Sequence, residues 1–246
     1  MCLIISKSLF VQILLVFAAD LVEAFLQDEG MDVVLAQVSD PRCTEKTKQM
    51  AITIFMLLSY EESAINCMIR NGVMSIVLAA LNEYPKNPHV CEPGLIALRN
   101  ILRDRNIRTM MADHTCLKTV ASVLKENPAN MTIAKKACSI IQKVAFSTAG
   151  KSTIFEKVPE IVALMVESLK RGYKDSKSLC VDAMNALRNL AAGDFVFSLA
   201  RLVPPEQIIP VSIEILKSYR SDSRVCASTC AFLWNMSFPS KYTPHI

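Results

Sequence analysis

The stretch AINCMIRNGVMSIVLAALNEYPKNPHVCEPGLIALRNIL, residues 64–102, decides the fold that we expect for this chain. Its apolar residues recur at i, i+3, i+4 and i+7, which is the period of a helix and not the alternation of a strand. A short segment ends at Gly72, a longer one ends near Leu81, and a third ends near Leu102. The connector EYPKNPH separates the two longer segments, because proline ends a helix and biases the preceding residue away from helical backbone. The stretch therefore predicts three successive helices, one short and two long.

The same pattern recurs along the chain at a step of about 43 residues. The segments of the third-helix type place an asparagine or a lysine in one column, and the column continues backwards through two leucines. The second-helix segments end at the same spacing. A single unit of this kind cannot bury its own apolar stripes, so neighbouring units must stack into a common core. The column holds Leu15, Leu57, Asn100, Lys143, Asn189 and Asn235, and the second helices end near Val38, Leu81, Leu124, Leu169 and Leu216.

We therefore predict an all-α repeat domain that spans the whole chain, with about five three-helix units after a leading half-unit. Gly30 and Gly72 lie at unit junctions, where a left-handed helix C-cap favours glycine. The approximate units are residues 1–27 (partial), 28–70, 71–113, 114–157, 158–202 and 203–246, the last one truncated.

Residues 64–102 resemble one unit of the armadillo-repeat family, with a leucine-rich second helix and a third helix of A-L-x-N-L character. The resemblance covers nearly the whole chain, although single repeats are degenerate. HEAT repeats, which stack in a similar way with two helices per unit, are the alternative. The armadillo resemblance implies a right-handed α-α superhelix whose third helices line a concave groove.

The inward stripe of the third helices follows from the helical wheel, with the asparagine column as its centre. In armadillo proteins an asparagine ladder of this kind grips an extended peptide, because a primary amide can pair with both N–H and C=O. The alternative is that each asparagine bonds the adjacent repeat, and for Trp234 that it is a partly buried packing residue. Nuclear-import receptors have a tryptophan four residues before the asparagine, whereas this chain has no tryptophan at that position in any repeat. The predicted groove residues are Asn100, Arg103, Lys136, Ser139, Lys143, Asn185, Asn189 and Asn235, flanked by Arg99, Arg188 and Trp234.

Composition and motifs limit the function classes. The chain has 246 residues, 52% of them hydrophobic, and its net charge of +4 is too mild to predict nucleic-acid binding. No catalytic motif or cofactor loop is present in the sequence, so we predict no enzyme, no cofactor and no metal. Cys226 and Cys230 could be two metal ligands on one helix face, but we predict them as small apolar core residues.

The sequence predicts a scaffold that binds an extended segment of a protein or peptide partner along the groove. The alternative is an architectural segment of a larger assembly, cytoskeletal or ciliary, that binds through its outer surface.

The ends of the chain and its cysteines bear on location. The run LFVQILLVFAA after Lys7 is too short to span a membrane, and it is either a buried helix or a signal-peptide core. Nine cysteines without a C-x-x-C motif predict reduced thiols in the cytoplasm or nucleus. The inward stripe of the first helix, at Val11, Leu15 and Ala18, is apolar, so we predict self-association through uncapped ends as a further property.

Overall fold

The computed structural model describes residues 19–103 and 114–237, with the backbone alone for residues 19–21. Within these ranges every regular element is a helix, which confirms the all-α prediction. The leading segment 1–18 and most of the predicted short helix at 104–114 lie outside the described residues. The helices are α1 Ala19–Gln27, α2 Gly30–Ser39, α3 Glu45–Leu58, α4 Glu62–Arg70, α5 Val73–Glu83, α6 Pro88–Ile101, α7 His114–Glu126, α8 Met131–Val144, α9 Thr148–Lys157, α10 Glu160–Gly172, α11 Lys177–Leu190, α12 Phe195–Leu202, α13 Pro205–Ser218 and α14 Ser223–Ser237.

The helices follow the predicted order of one short and two long elements. The third helices of the repeats are α3, α6, α8, α11 and α14, and they end within one residue of the positions that the sequence period indicates. The chain divides into two compact units, Met1–Arg103 and Asp104–Ile246.

In the first unit, the third helices α3 and α6 pack side by side, and α5 packs on α6. Phe55 and Leu58 of α3 are fully buried, as are Leu95 and Leu98 of α6. Burying a side chain of this size contributes about 1.5–3 kcal/mol, so this contact makes a large contribution to the stability of the unit.

In the second unit, α11 packs between α8 and α14, so that three third helices lie in a row. The second helix of each repeat packs beside its own third helix, as in the pairs α7 with α8, α10 with α11 and α13 with α14. Ile141, Leu187 and Phe232 are fully buried members of α8, α11 and α14. The row presents three equivalent helices to one surface.

A column of capping residues fixes where the third helices begin. Each cap lies thirteen residues before the asparagine column, and its side chain accepts a hydrogen bond from a backbone N–H of the first turn. Such a cap contributes about 1 kcal/mol and sets the starting residue of the helix. The caps and the nitrogens bound are Thr44 with Thr47 at 3.2 Å, Asn87 with His89 at 2.9 Å, Asn130 with Ile133 at 3.0 Å, Ser176 with Leu179 at 3.3 Å, and Asp222 with Val225 at 3.1 Å.

A thiol-to-carbonyl bond joins the second and third helices in three of the repeats. A cysteine in the first turn of the third helix donates to the carbonyl of a tyrosine seven residues earlier, at the end of the second helix. This bond gives the thiol, which is buried in Cys91 and Cys180 and half-buried in Cys226, a hydrogen-bond partner, and it closes the connector. The pairs are Cys91 Sγ with the Tyr84 carbonyl at 3.3 Å, Cys180 with Tyr173 at 3.3 Å, and Cys226 with Tyr219 at 3.4 Å.

We expect the cysteines to differ sharply in reactivity. Burial raises the pKa of Cys91 to about 11 and that of Cys180 to about 12, whereas Cys230 is exposed. Since the thiolate is the reactive form, iodoacetamide at pH 8 should modify Cys230 in the native protein and spare Cys91 and Cys180 until urea is added. Mass spectrometry of tryptic peptides measures this directly. Labelling of Cys180 as fast as that of Cys230 would contradict the described burial.

Two sequence expectations are corrected by the fold. Gly72 has the predicted left-handed backbone, with φ 66°, but at the preceding junction the left-handed residue is Glu29, with φ 57°. Gly30 instead begins α2, where a Cβ would lie 2.6 Å from the carbonyl oxygen of Phe25, so its role is close approach. The prediction that Cys230 belongs to the core is wrong, because its side chain lies on the exposed face of α14.

Among the described helices, none is by itself both long and apolar enough to cross a membrane. One bent pair, Glu62–Arg70 with Val73–Glu83, meets the length and composition criteria jointly, with an angle of 79° between its helices.

Candidate functional site

The asparagine column connects successive third helices by side-chain hydrogen bonds. Asn189 Nδ2 of α11 donates to the carbonyl of Gln142 in α8 at 3.0 Å. Asn235 Nδ2 of α14 donates to the carbonyl of Arg188 in α11 at 2.9 Å. In both cases the acceptor lies one residue before the column, in the last turn of the preceding third helix. The column is therefore a ladder that fixes the register of one repeat on the next.

The backbone leaves this carbonyl available. The last four C=O groups of a helix lack an intrahelical partner. At the end of α11, the N–H of Ala191 donates to the carbonyl of Leu187, and the N–H of Ala192 donates to the carbonyl of Asn189. Neither of these backbone groups donates to the carbonyl of Arg188, which lies between the two acceptors. Asn235 supplies the donor for that carbonyl from the next repeat.

In the first unit a serine is inserted into the same connection. The N–H of Tyr60 donates to the carbonyl of Leu57 and not to the carbonyl of Met56, which occupies the position equivalent to Arg188. Ser59 Oγ donates to this carbonyl at 2.6 Å, and Asn100 Nδ2 donates to Ser59 Oγ at 2.9 Å. Asn100 thus reaches the preceding helix through one hydroxyl group.

The sequence-predicted residues differ in accessibility. Asn100 is fully buried and Ser139 is 7% exposed, so neither side chain belongs to an accessible surface, and for Asn100 the geometry supports the inter-repeat alternative. Trp234 is 67% exposed, which corrects the expectation of a partly buried packing residue. Arg103 is also exposed, and the remaining predicted residues are half-buried: Arg99, Lys136, Lys143, Asn185, Arg188, Asn189 and Asn235.

No protein-family model matches the chain, and no curated protein matches it. Among solved structures, a computationally designed armadillo repeat protein for modular peptide recognition matches with a TM-score of 0.74 at 16% identity, over 94% of this chain and 92% of that one. A second designed armadillo repeat protein matches with a TM-score of 0.69 at 16% identity, over 94% of this chain and 92% of that one. An engineered protein matches with a TM-score of 0.75 at 15% identity, over 94% of this chain and 90% of that one.

The chain has an armadillo-like repeat fold. The three-helix units of these armadillo-like repeats agree with the period that the sequence indicates. At identities of 15–16% the likeness concerns the fold alone.

Arginines orient two of the asparagines in the armadillo-like ladder. Arg99 donates to Asn100 Oδ1 from Nε at 3.2 Å and from Nη2 at 2.9 Å. Arg188 Nη2 donates to Asn189 Oδ1 at 3.2 Å. Because a guanidinium can only donate, it fixes which end of the amide is the oxygen, and the NH₂ group then faces the preceding repeat.

In the last armadillo-like repeat a tryptophan takes the place of this arginine. Trp234 occupies the position of Arg99 and Arg188, and Asn235 Oδ1 accepts no hydrogen bond from the described part of the chain. The half-buried amide of Asn185 likewise forms no hydrogen bond to any residue within 19–103 or 114–237. These two amides retain hydrogen-bonding capacity toward a ligand.

We define the polar stripe as the accessible line of side chains along α8, α11 and α14. It combines cationic, amide and aromatic groups on three helices that pack in a row. Within the described residues no group of three or more His, Cys, Asp or Glu side chains could hold a metal ion. The polar stripe consists of Lys136, Lys143, Asn185, Arg188, Asn189, Trp234 and Asn235.

The ladder makes a testable contribution to stability. We expect Asn189→Ala to lower the free energy of unfolding by about 1 kcal/mol, because the hydrogen bond from Asn189 to the carbonyl of Gln142 is lost. Asn189→Asp should destabilise at least as much, since an ionised carboxylate retains the oxygen facing Arg188 but cannot donate. Urea unfolding followed by circular dichroism measures both. An Asn189→Asp variant as stable as the parent protein would contradict this hydrogen-bond direction.

Proposed function

We propose that this protein is a scaffold that binds an extended segment of a protein partner along the polar stripe of its second unit. The observation that carries the proposal is that Lys143, Asn189 and Asn235 place half-buried hydrogen-bonding side chains at the same position of α8, α11 and α14, three helices that pack in a row. A stripe that repeats with the helices matches a ligand whose own backbone groups repeat, as those of an extended peptide do.

The spacing of the helices suits a short peptide. Packed helix axes lie about 8–10 Å apart, so the three helices span about 20 Å across the stripe. An extended chain rises about 3.3 Å per residue, so about six residues would cross all three. Asn185, near the middle, can offer an acceptor and two donors to the backbone of such a segment.

The side chains along the stripe indicate the chemistry of the ligand. Lys136, Lys143 and Arg188 outnumber Asp182, which is the half-buried acid among the inward positions of these helices. This balance favours a peptide that carries a carboxylate. Trp234 offers an aromatic surface on α14, and tryptophan is enriched among residues that dominate binding energy.

Selection from a displayed library of random peptides, followed by titration of an enriched peptide, tests the proposal. We expect Asn185→Ala and Trp234→Ala each to weaken binding about tenfold or more, because each removes a group that faces the peptide. The matched control is Gln207→Ala, which removes an exposed amide from the second helix α13.

The control also separates the alternative function. If Gln207→Ala weakens binding while Asn185→Ala and Trp234→Ala bind normally, the outer surface is the binding face and the architectural alternative gains support. Circular dichroism of each variant establishes that the folded state is retained.

A further inference from the structure

Two aromatic rings are exposed near the ends of α8 and α14. Among the large apolar side chains that the structure describes in the second unit, Phe146 and Trp234 are the most exposed, at 69% and 67%. Phe146 closely follows α8, and Trp234 lies in the last turn of α14. Single exposed apolar residues are common on protein surfaces, so the relative positions of the two rings decide whether they belong to one site.

Both rings lie on the same flank of the asparagine column. Phe146 is three residues after Lys143, the column residue of α8, and Trp234 is one residue before Asn235, the column residue of α14. Ala145 keeps helical backbone, with φ −67° and ψ −5°, so the helical wheel of α8 extends to Phe146. At about 100° per residue the two offsets correspond to about 300° and −100°, which differ by about 40°. The rings therefore face the same side of the row, on its two outer helices.

The middle helix places a cation between the two rings. Arg188 of α11 occupies the same position as Trp234, and its half-buried guanidinium donates to Asn189 from Nη2. It forms no ion pair with an acid within 19–103 or 114–237. A guanidinium has several further N–H groups, which suit the two oxygens of a carboxylate. The residue of α11 equivalent to Phe146 is Ala192, so this helix contributes a charge and no third ring.

The width of the row sets the length of the segment that reaches both rings. Packed helix axes lie about 8–10 Å apart, so α8 and α14 are about 16–20 Å apart across α11. Phe146 and Trp234 also differ by four positions along their helices, which is about 6 Å along the axis. The two residues are therefore about 17–21 Å apart. An extended segment covers this distance in about six residues, and side chains an even number of residues apart point to the same side.

We propose that the ligand of the polar stripe is an acidic extended segment with two apolar side chains six residues apart, one packed on Phe146 and the other on Trp234. A carboxylate two or four residues after the first apolar side chain faces the same side and binds Arg188. This ligand chemistry rests on the proposed function, because it specifies the segment that the polar stripe binds. The rings select apolar groups by removing them from water, and the guanidinium selects the carboxylate by charge and by its paired donors.

Selection of random twelve-residue peptides, displayed on phage, with the full chain as target tests this ligand chemistry. We expect the enriched peptides to carry an apolar pair six residues apart with aspartate or glutamate between. Selection on Arg188→Glu should enrich lysine or arginine there instead. Arg188→Met retains a long side chain without the charge, so it should remove the acidic preference. Circular dichroism establishes that each variant is folded.

Titration of one enriched peptide measures the contact with Phe146. Phe146→Ala should weaken binding about tenfold. The loss should fall below about twofold for a peptide in which alanine replaces the apolar residue at that end, because the contact is then already absent. Phe197→Ala is the matched control, since Phe197 is a 44% exposed phenylalanine on α12, outside the polar stripe. We expect this variant to bind like the parent protein.

The outcomes distinguish this ligand chemistry from the proposed function. Enriched peptides that lack the apolar pair, or that keep their acidic preference on Arg188→Met, would overturn the ligand chemistry alone, provided that Asn185→Ala still weakens their binding. An equal loss from Phe146→Ala for both peptides would also overturn it. A library that yields no binding peptide would contradict the proposed function and the ligand chemistry together.

Discussion

We expect Gly150→Ala to lower the free energy of unfolding by about 3 kcal/mol, which is a large effect for one added methyl group. Gly150 lies in the first turn of α9 and is buried. A Cβ at this position would overlap the carbonyl oxygen of Val144 and would lie 2.8 Å from its carbonyl carbon. Since these are backbone atoms at the end of α8, the clash cannot be relieved by rotating a side chain. The end of α8 or the start of α9 must move, which disturbs the packing of α8 on α11.

Gly193→Ala is the matched control for this substitution. Gly193 has φ 67° and no heavy atom within 4 Å of an added Cβ, so alanine there meets only the cost of left-handed backbone, about 1–2 kcal/mol. Urea unfolding followed by circular dichroism compares the two variants. A Gly150→Ala protein as stable as Gly193→Ala would contradict the described contact between α8 and α9.

We expect Asn100→Ala to lower the free energy of unfolding by about 2 kcal/mol. The side chain of Asn100 is fully buried, donates to Ser59, and accepts twice from Arg99. Alanine leaves the hydroxyl of Ser59 without its donor and the half-buried guanidinium without its acceptor. The connection from α6 to the carbonyl of Met56 in α3 is then lost.

Asn185→Ala is the control for this prediction, because its half-buried amide has no hydrogen-bond partner among the residues described. We expect its unfolding free energy to change by less than about 0.5 kcal/mol. The loss of unfolding free energy in the double variant Asn100→Ala with Ser59→Ala should be smaller than the sum of the losses in the two single variants. The reason is that both side chains belong to one chain of hydrogen bonds that ends at the carbonyl of Met56. Additive effects would show that the two side chains act independently.

The helical period of the sequence was enough to predict the repeat and the ends of its helices. Leu81 and Leu102 mark helix ends within two residues of those in the structure. A further signal was present in the cap column, where Thr44, Asn87 and Asn130 stand 43 residues apart. The tyrosine–cysteine pairs seven residues apart were also visible in the sequence. The hydrogen bond from thiol to carbonyl in each pair could not be predicted, because it depends on how the second and third helices pack.

Burial at the candidate site could not be predicted from the helical wheel. Asn100 and Asn185 both fall on the predicted inward stripe, yet one is fully buried and the other half-exposed. Asn100 donates to Ser59, 41 residues away, and the helical wheel of a single helix does not include such a contact between repeats. Trp234 was expected to be a partly buried packing residue, but its side chain is 67% exposed at the position that Arg188 occupies on α11.

The central claim is that an extended peptide occupies the polar stripe, and the fluorescence of Trp234 tests it most directly. Trp234 is the one tryptophan in the sequence, and its side chain is 67% exposed on α14. We predict that titration with a library-selected peptide that contains no tryptophan shifts the emission to shorter wavelength. The midpoint of this shift should agree with the affinity measured by anisotropy of the labelled peptide. Saturation of the labelled peptide with no change in Trp234 emission would contradict the claim.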